Sequence, residues 1–307
     1  MIRPAAALLG ALAFAARAIY PILVERRAVR RRALGAEGIV EGAATIARGR
    51  RGDPAVLLLH GGGDTPQVVA GLGEYLLARG FAVRAPLLPG HGRSLSALRR
   101  VSAAELRAFV HDEYDALRRH NESVSVVGLS MGGALAIELA ARHRDLPALV
   151  LLAPYVDMPA AIRRLATTSA VWGWVLPYFS SRGELSIRDP AAAAEALGHG
   201  VLTPAMLRAL HDIVRSADES LPAVSAPTLV VQSREDNRIS IASAERTFER
   251  LGSKQKRFVW TEGAAHVITV DYGRERVFEL CADWLAKHRR DEGAARPGEG
   301  AASSVGS

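Results

Sequence analysis

The run Val124-Ser-Val-Val-Gly-Leu-Ser-Met-Gly-Gly133 limits the fold of this chain more than any other stretch. Val124 to Val127 is β-branched or small and bounded by polar residues, the pattern of a short buried strand. Ala134 to Arg142 carries apolar residues at helical spacing. Between them stands Gly128-Leu-Ser-Met-Gly132, a G-x-S-x-G pattern in strand–turn–helix context. A turn that sharp brings backbone close on either side of the serine, where only glycine lacks the clashing β-carbon. The turn lifts the Ser130 hydroxyl out of the sheet at the start of a helix. It also leaves the Met131 N–H free to face developing negative charge. The blander alternative is a glycine-rich junction with an incidental serine. The strand before it and the helix after it favour the sharp turn.

The surrounding pattern is that of an α/β chain. Ala55-Val-Leu-Leu-Leu59 is a continuous apolar run of strand length, as in a sheet buried on both faces, and it ends in His60-Gly-Gly-Gly-Asp64. Phe81 to Leu88 predicts a second strand, closed by Pro89-Gly-His-Gly92. Ala148 to Ala153, Thr228 to Gln232 and Lys256 to Thr261 predict further strands, and Gly38 to Arg50 is strand-like. Leu72 to Arg79, Ala103 to Arg119 and Arg274 to His288 predict helices. Strands alternating with helices imply a mostly parallel sheet covered on both sides. From Pro154 to Pro227 no strand is evident, and helical stretches accompany Trp172, Trp174, Tyr178 and Phe179. Each tryptophan taken singly reads as core filling. The expected organisation is an N-terminal segment over 1–35, a core over 36–153 and 228–290, a helical cap over 154–227, and a disordered tail over 291–307. The cap would stand above the C-terminal edge of the strands, where open α/β sheets bind ligands.

The net charge of +7 is local. Residues 1 to 51 hold ten arginines and three glutamates, which accounts for the whole excess. A charge confined to one run after an apolar segment argues for a membrane surface and against nucleic acid. Pro4 to Val24 allows three readings: a membrane anchor, a cleaved signal peptide with Ala13-Phe-Ala15 as its small-residue site, or a helix packed on the domain. The run Arg26 to Arg32 favours retention on the cytoplasmic side of the membrane over secretion; a fully cytoplasmic chain remains the other alternative. The single cysteine, Cys281, excludes an intramolecular disulfide and a cysteine-based metal site, and its apolar helical neighbours make it a packing thiol.

A serine hydroxyl attacks only when a base takes its proton and an acid orients that base. Of nine histidines, His266 stands just past the last strand and before the last helix, at the same sheet edge as Ser130. Glu235 and Asp236 follow the Thr228 strand at that edge. Either acid keeps the serine, acid, histidine order expected of this fold. From Ala55 to His288 the chain resembles the bacterial carboxylesterases and monoacylglycerol lipases of the α/β-hydrolase superfamily. The likeness rests on His60-Gly-Gly-Gly63, Leu88-Pro-Gly-His-Gly92, Gly128-Leu-Ser-Met-Gly-Gly133, Asp236 with Ile239 three on, and His266-Val-Ile-Thr-Val-Asp271. The resemblance implies Asp236 as the acid and the N–H groups of Gly62 and Met131 as an oxyanion hole. It departs at Gly62, where the family often carries Phe or another bulky residue. It further implies a serine ester hydrolase with no cofactor and no metal, acting on small esters or lipids such as monoacylglycerols. A membrane surface would be a partner through residues 1–35. Acyl transfer, thioesterase or peptidase chemistry on the same fold, or a catalytically silent membrane-tethered binding protein, are the alternatives.

Overall fold

A computed structural model describes residues 17–289 apart from Arg31, Ala36, Glu122, Val175 and 181–185. Most of the Pro4–Val24 segment and the expected tail over 291–307 lie outside the described residues. Residues 17–30 form the first helix, α1. The strands are β1 (Ile46–Arg48), β2 (Ala55–Leu59), β3 (Ala82–Ala85), β4 (Val124–Leu129), β5 (Leu149–Leu152), β6 (Phe179–Ser180), β7 (Val201–Leu202), β8 (Thr228–Ser233) and β9 (Lys256–Thr261). The remaining helices are α2 (Gln67–Leu77), α3 (Leu95–Leu98), α4 (Ala103–Arg118), α5 (Met131–Arg142), α6 (Ala160–Trp172), α7 (Pro190–Glu195), α8 (Pro204–Ser220), α9 (Ile241–Arg250) and α10 (Arg274–His288).

Among the described residues seven strands form one sheet in the order β1-β3-β2-β4-β5-β8-β9. All neighbours are parallel except β1, which pairs antiparallel with β3. The chain is thus an α/β-hydrolase fold, a mostly parallel sheet with helices on both faces. Side chains alternate across the strands. Leu57, Leu59, Val126, Leu149 and Leu151 face α4, α5 and α8 on one side of the sheet. Val56, Leu58, Val127, Val150, Leu152 and Val231 face α2 and α10 on the other, where Cys281 is fully buried. Both faces are covered, so these strands read as unbroken apolar runs.

Several expected elements shift. The second expected strand is only Ala82–Ala85, because Pro86 brings no N–H to a ladder. Between β5 and β8 the chain includes the short antiparallel pair β6 and β7, each two residues long and too brief for a periodic signal. Helix α9 has no counterpart among the expected elements; it buries Ser243, Ala244 and Thr247 instead of large side chains. Trp172 packs edge-on against Phe179 at 5.5 Å between ring centres, whereas Trp174 stands 63% exposed and is no core residue.

Helix α1 lies on the domain. Tyr20, Val24 and Ala28 pack with Leu95 and Tyr178. Tyr20 Oη donates to the Tyr178 carbonyl at 2.8 Å, and Tyr178 Oη donates to Glu25 Oε1 at 2.7 Å. No helix among the described residues is long and apolar enough to cross a membrane.

One ion pair joins three helices on the α5 side. Arg107 of α4 donates to both oxygens of Glu138 of α5 and, at 2.9 Å, to the Asp212 carbonyl of α8. Burial pushes the Glu138 carboxyl above its ordinary value, and Arg107 opposes that shift. Removing Arg107 strands a buried carboxylate. Arg107 keeps 24% of its side chain in solvent, which moderates the loss. Arg107→Leu should destabilise the fold by about 2–4 kcal/mol at neutral pH. A carboxyl with a raised folded pKa costs stability only where it is ionised. Denaturant titrations should therefore show the deficit shrinking as pH falls and Glu138 protonates.

Candidate active site

The turn after β4 is the sharp one expected. Ser130 has φ 55° and ψ −119°, a region that non-glycine residues rarely occupy. A β-carbon on Gly128 would lie 2.3 Å from the Gly132 carbonyl oxygen, and one on Gly132 would lie 2.3 Å from the Leu59 carbonyl oxygen. Main-chain atoms cannot yield as a side chain can, so both positions require glycine. Strain of this kind costs roughly 1–3 kcal/mol and persists only where surroundings impose it. Here the Ser130 N–H donates to the Leu152 carbonyl at 2.9 Å. The Ser130 carbonyl accepts from Gly133, Ala134 and Tyr155 N–H groups at 2.9, 3.2 and 3.1 Å.

The sheet register brings the other groups to this turn. Leu129, Leu152 and Val231 are successive partners across β4, β5 and β8, and Val231 pairs with Val259 of β9. The loops that follow these strands therefore leave from one edge. Ser130 Oγ lies 2.8 Å from His266 Nε2, and His266 Nδ1 lies 2.8 Å from Asp236 Oδ2. Nδ1 facing the carboxylate donates its proton there, which leaves Nε2 as the acceptor for the serine hydroxyl. The Asp236 side chain is fully buried. Burial alone would push its carboxyl up. Hydrogen bonds from His266 and from the Arg238 and Ile239 N–H groups overcome this and hold it below the usual range. Gln232 Nε2 adds a donor to Asp236 Oδ2 at 2.7 Å. Glu235 points elsewhere and accepts from Ser233 Oγ and the Gly263 N–H. Sequence reasoning missed Gln232, whose i, i+4 relation to Asp236 has no meaning until the loop after β8 folds back.

Asp271 supplies a support that its place in the sequence did not reveal. Its Oδ2 accepts from the Arg188 and Ala265 N–H groups at 2.8 and 2.7 Å. Its Oδ1 accepts from the Asp189 and Tyr272 N–H groups, both at 2.9 Å. One carboxylate thus ties the His266 loop to the chain just before α7. Burial raises its pKa, but these four bonds outweigh burial and hold it below the usual carboxylate range. The Val267 N–H adds a bond to the Ser186 carbonyl at 2.9 Å.

Facing the serine is the turn after β2. A β-carbon on Gly62 would lie 3.4 Å from both Met131 Sδ and Met206 Cε, so Gly62 and Met131 are neighbours. Met131 opens α5, where the first N–H groups have no helical acceptor. The space that a bulky residue would take at position 62 is filled by these two methionines, Met206 coming from α8. His60 and His91 brace the turn from below, with ring centres 5.2 Å apart. His60 Nε2 accepts from the Leu88 N–H at 3.1 Å, so Nδ1 carries the proton given to the Gly61 carbonyl. Burial pushes His60 down to about 3 and His91 down to about 4, which keeps both neutral. Asp64 lies in the same turn. Burial pushes its carboxyl up to about 6, while the nearby His266 pulls it down. Its Oδ2 and Ser130 Cβ both border the space in front of Gly61. The whole arrangement can pass a proton from a serine to a histidine held by a carboxylate, beside two N–H donors.

The chain is similar to known proteins along most of its length. The model of the family described as serine aminopeptidase, S33 matches residues 51–272. A carboxylesterase from Bacillus subtilis (strain 168) is 30% identical over 77% of this chain and 94% of its own length. A thermostable monoacylglycerol lipase from Bacillus sp. (strain H-257) is 29% identical over 77% of this chain and 92% of its own. The crystal structure of a monoacylglycerol lipase from Paleococcus ferrophilus superimposes with a TM-score of 0.68 at 25% identity, covering 80% of this chain and 98% of that one.

Two substitutions test the supports. Gly132→Ala, and more so Gly132→Val, should inactivate or unfold the protein, because even a methyl group meets the β2 main chain. Wild-type activity and melting temperature in Gly132→Ala would refute the close approach. Asp271→Asn puts an amide NH₂ against backbone donors and should cost about 2–4 kcal/mol. Asp271 has a depressed folded pKa, so its contribution is present above the unfolded carboxylate pKa and is lost as pH falls through the folded one. Thermal melts should show a constant deficit near neutrality that closes in acid.

Proposed function

The chain belongs to the serine aminopeptidase, S33 family, and from that premise we propose that it hydrolyses carboxylic esters, monoacylglycerols or similar lipid esters among them. It is a serine hydrolase. The observation that carries the finer reading is the pair of 2.8 Å contacts linking Ser130, His266 and Asp236 at one sheet edge. In this reading Ser130 Oγ attacks the ester carbonyl while His266 Nε2 takes its proton. Asp236 stays ionised, fixes the histidine tautomer and stabilises the imidazolium. The Gly62 and Met131 N–H groups receive the tetrahedral oxyanion. His266 returns its proton to the departing alkoxide, which releases the alcohol and leaves an acyl-serine. Water, deprotonated by the same histidine, then releases the carboxylic acid and restores the hydroxyl.

Residues 154–227 act as the cap over this edge in the same reading, between core segments 36–153 and 228–290. Support comes from Met206 against Gly62 and from Gly198, whose β-carbon would lie 2.6 Å from the Gly63 carbonyl oxygen. The names of the Bacillus sp. (strain H-257) relative and of the Paleococcus structure favour monoacylglycerols as substrates, and that of the Bacillus subtilis relative fits a carboxylic ester.

Ser130→Ala or His266→Ala should lower kcat by roughly 10⁴-fold or more, leaving the residue of binding and oxyanion effects. Asp236→Asn should be severe and Glu235→Gln mild. The assay is a panel of acyl esters of increasing chain length with monoacylglycerols, set beside an aminoacyl anilide and an acyl thioester. A fluorophosphonate probe should label the wild-type chain and spare Ser130→Ala. Faster cleavage of the anilide or thioester would overturn the ester reading. A greater loss in Glu235→Gln would overturn the choice of acid. An unlabelled wild-type chain would leave a binding protein.

A further inference from the structure

Exposed large apolar side chains are concentrated in two stretches of this chain. Among the described residues eleven are exposed, and nine of them come from two stretches. Ile19, Ile22, Leu23 and Val29 belong to α1; Ile162, Leu165 and Val171 belong to α6, with Trp174 and Leu176 just beyond it. Val171 is 80% exposed and Leu23 is 58% exposed. Isolated apolar residues on a surface are ordinary, but a contiguous set marks a contact region.

The two stretches adjoin. The Arg17 guanidinium stacks 4.3 Å from the centre of the Trp174 ring, and Tyr20 and Val24 pack on Tyr178 four residues further on. Helical geometry then decides what faces outward. Tyr20, Val24, Glu25 and Ala28 recur at helical spacing and engage the domain. Ile19, Ile22 and Leu23 lie on the other side, continuing into the exposed Arg26, Arg27 and Arg30. Arg164 is also exposed among the apolar residues of α6.

We propose that α1, α6, Trp174 and Leu176 together form a docking face for an anionic lipid bilayer, with α1 lying in the headgroup layer. Apolar side chains edged by arginine fit a surface that is apolar below and negatively charged above. A second copy of this chain would bring like charge against like charge. The sequence that leads into α1 agrees, since residues 4–16 carry no charged side chain. The face also adjoins the candidate active site. A β-carbon on Gly173 would lie 2.7 Å from Pro204, which opens α8, and Met206 two residues on borders Gly62. A lipid lifted from the bilayer would meet that edge first. The docking itself does not depend on the reaction assigned to Ser130.

The test is flotation of the full-length chain with phosphatidylcholine vesicles containing about 30% phosphatidylglycerol, and with phosphatidylcholine alone. The chain should float with the anionic vesicles, less so at high salt and less so without phosphatidylglycerol. Ile22→Glu/Leu23→Glu and Val171→Ser/Trp174→Ser should each lower the bound fraction about tenfold. Hydrolysis of a soluble short-chain ester and the melting temperature should stay near wild type. Three outcomes would overturn the proposal. One is a full-length chain that stays with the buffer. Another is face variants that bind as well as wild type while a chain lacking residues 1–16 does not, which puts adhesion in that segment alone. The third is a dimer split by Ile22→Glu/Leu23→Glu with no vesicle binding, which makes a second copy the occupant.

Discussion

The arrangement at the sheet edge depends on one close approach, that of Gly132 to the carbonyl groups of Leu59 and His60. Because α5 starts with no side chain at this point, it can enter directly against β2. That entry bends the chain so sharply that Ser130 is held at positive φ, with its hydroxyl raised from the sheet. The same contact puts the first N–H groups of α5 beside the turn after β2, and so sets the Met131 donor next to Gly62. The strain at Ser130 is offset by the hydrogen bond that its N–H donates to the Leu152 carbonyl of β5 and by the three N–H groups that converge on the Ser130 carbonyl.

The histidine and its acid have no such rigid seat. Both ride on loops, and loops hold position only where their polar groups are satisfied. Asp236 is fixed by two backbone N–H groups and by Gln232, so its free lone pairs face His266. His266 is fixed at one remove by Asp271, whose carboxylate joins the loop after β9 to the segment before α7. That segment belongs to the insertion between β5 and β8. Anything that shifts the insertion therefore bears on the histidine as well as on Met206 beside Gly62. If α6 and the Trp174 turn rest on a lipid surface, the surface is coupled mechanically to both sides of the site.

The parts legible in the sequence were those governed by local rules. The apolar runs of β2, β4, β5 and β8 follow from burial on both faces of a sheet. The Gly-x-Ser-x-Gly turn follows from steric exclusion of a β-carbon. That Ser130, His266 and an acid at 235 or 236 meet was anticipated because strands of a parallel sheet all end at one edge, while Asp236 over Glu235 was implied only by the family resemblance. Helix α9 escaped notice because small and hydroxyl-bearing residues line its buried face. The pair β6–β7 escaped because two residues show no period. The exposed position of Trp174 ran against its hydrophobicity, which argues for burial in a single chain but says nothing of a surface that another phase can cover.

Sequence by itself determined the fold class, the glycine positions and the chemical identity of the groups at the sheet edge, since each follows from short-range sterics or from the pattern of apolar residues. Tertiary structure alone decided between Glu235 and Asp236 on physical grounds, because only the folded loop turns one carboxylate toward His266 and the other toward Gly263. It also decided what fills the space at Gly62, what Asp271 holds, and which side of α1 remains open. Those outcomes depend on contacts between residues far apart in the chain, and spacing along a sequence carries no record of distance across a fold.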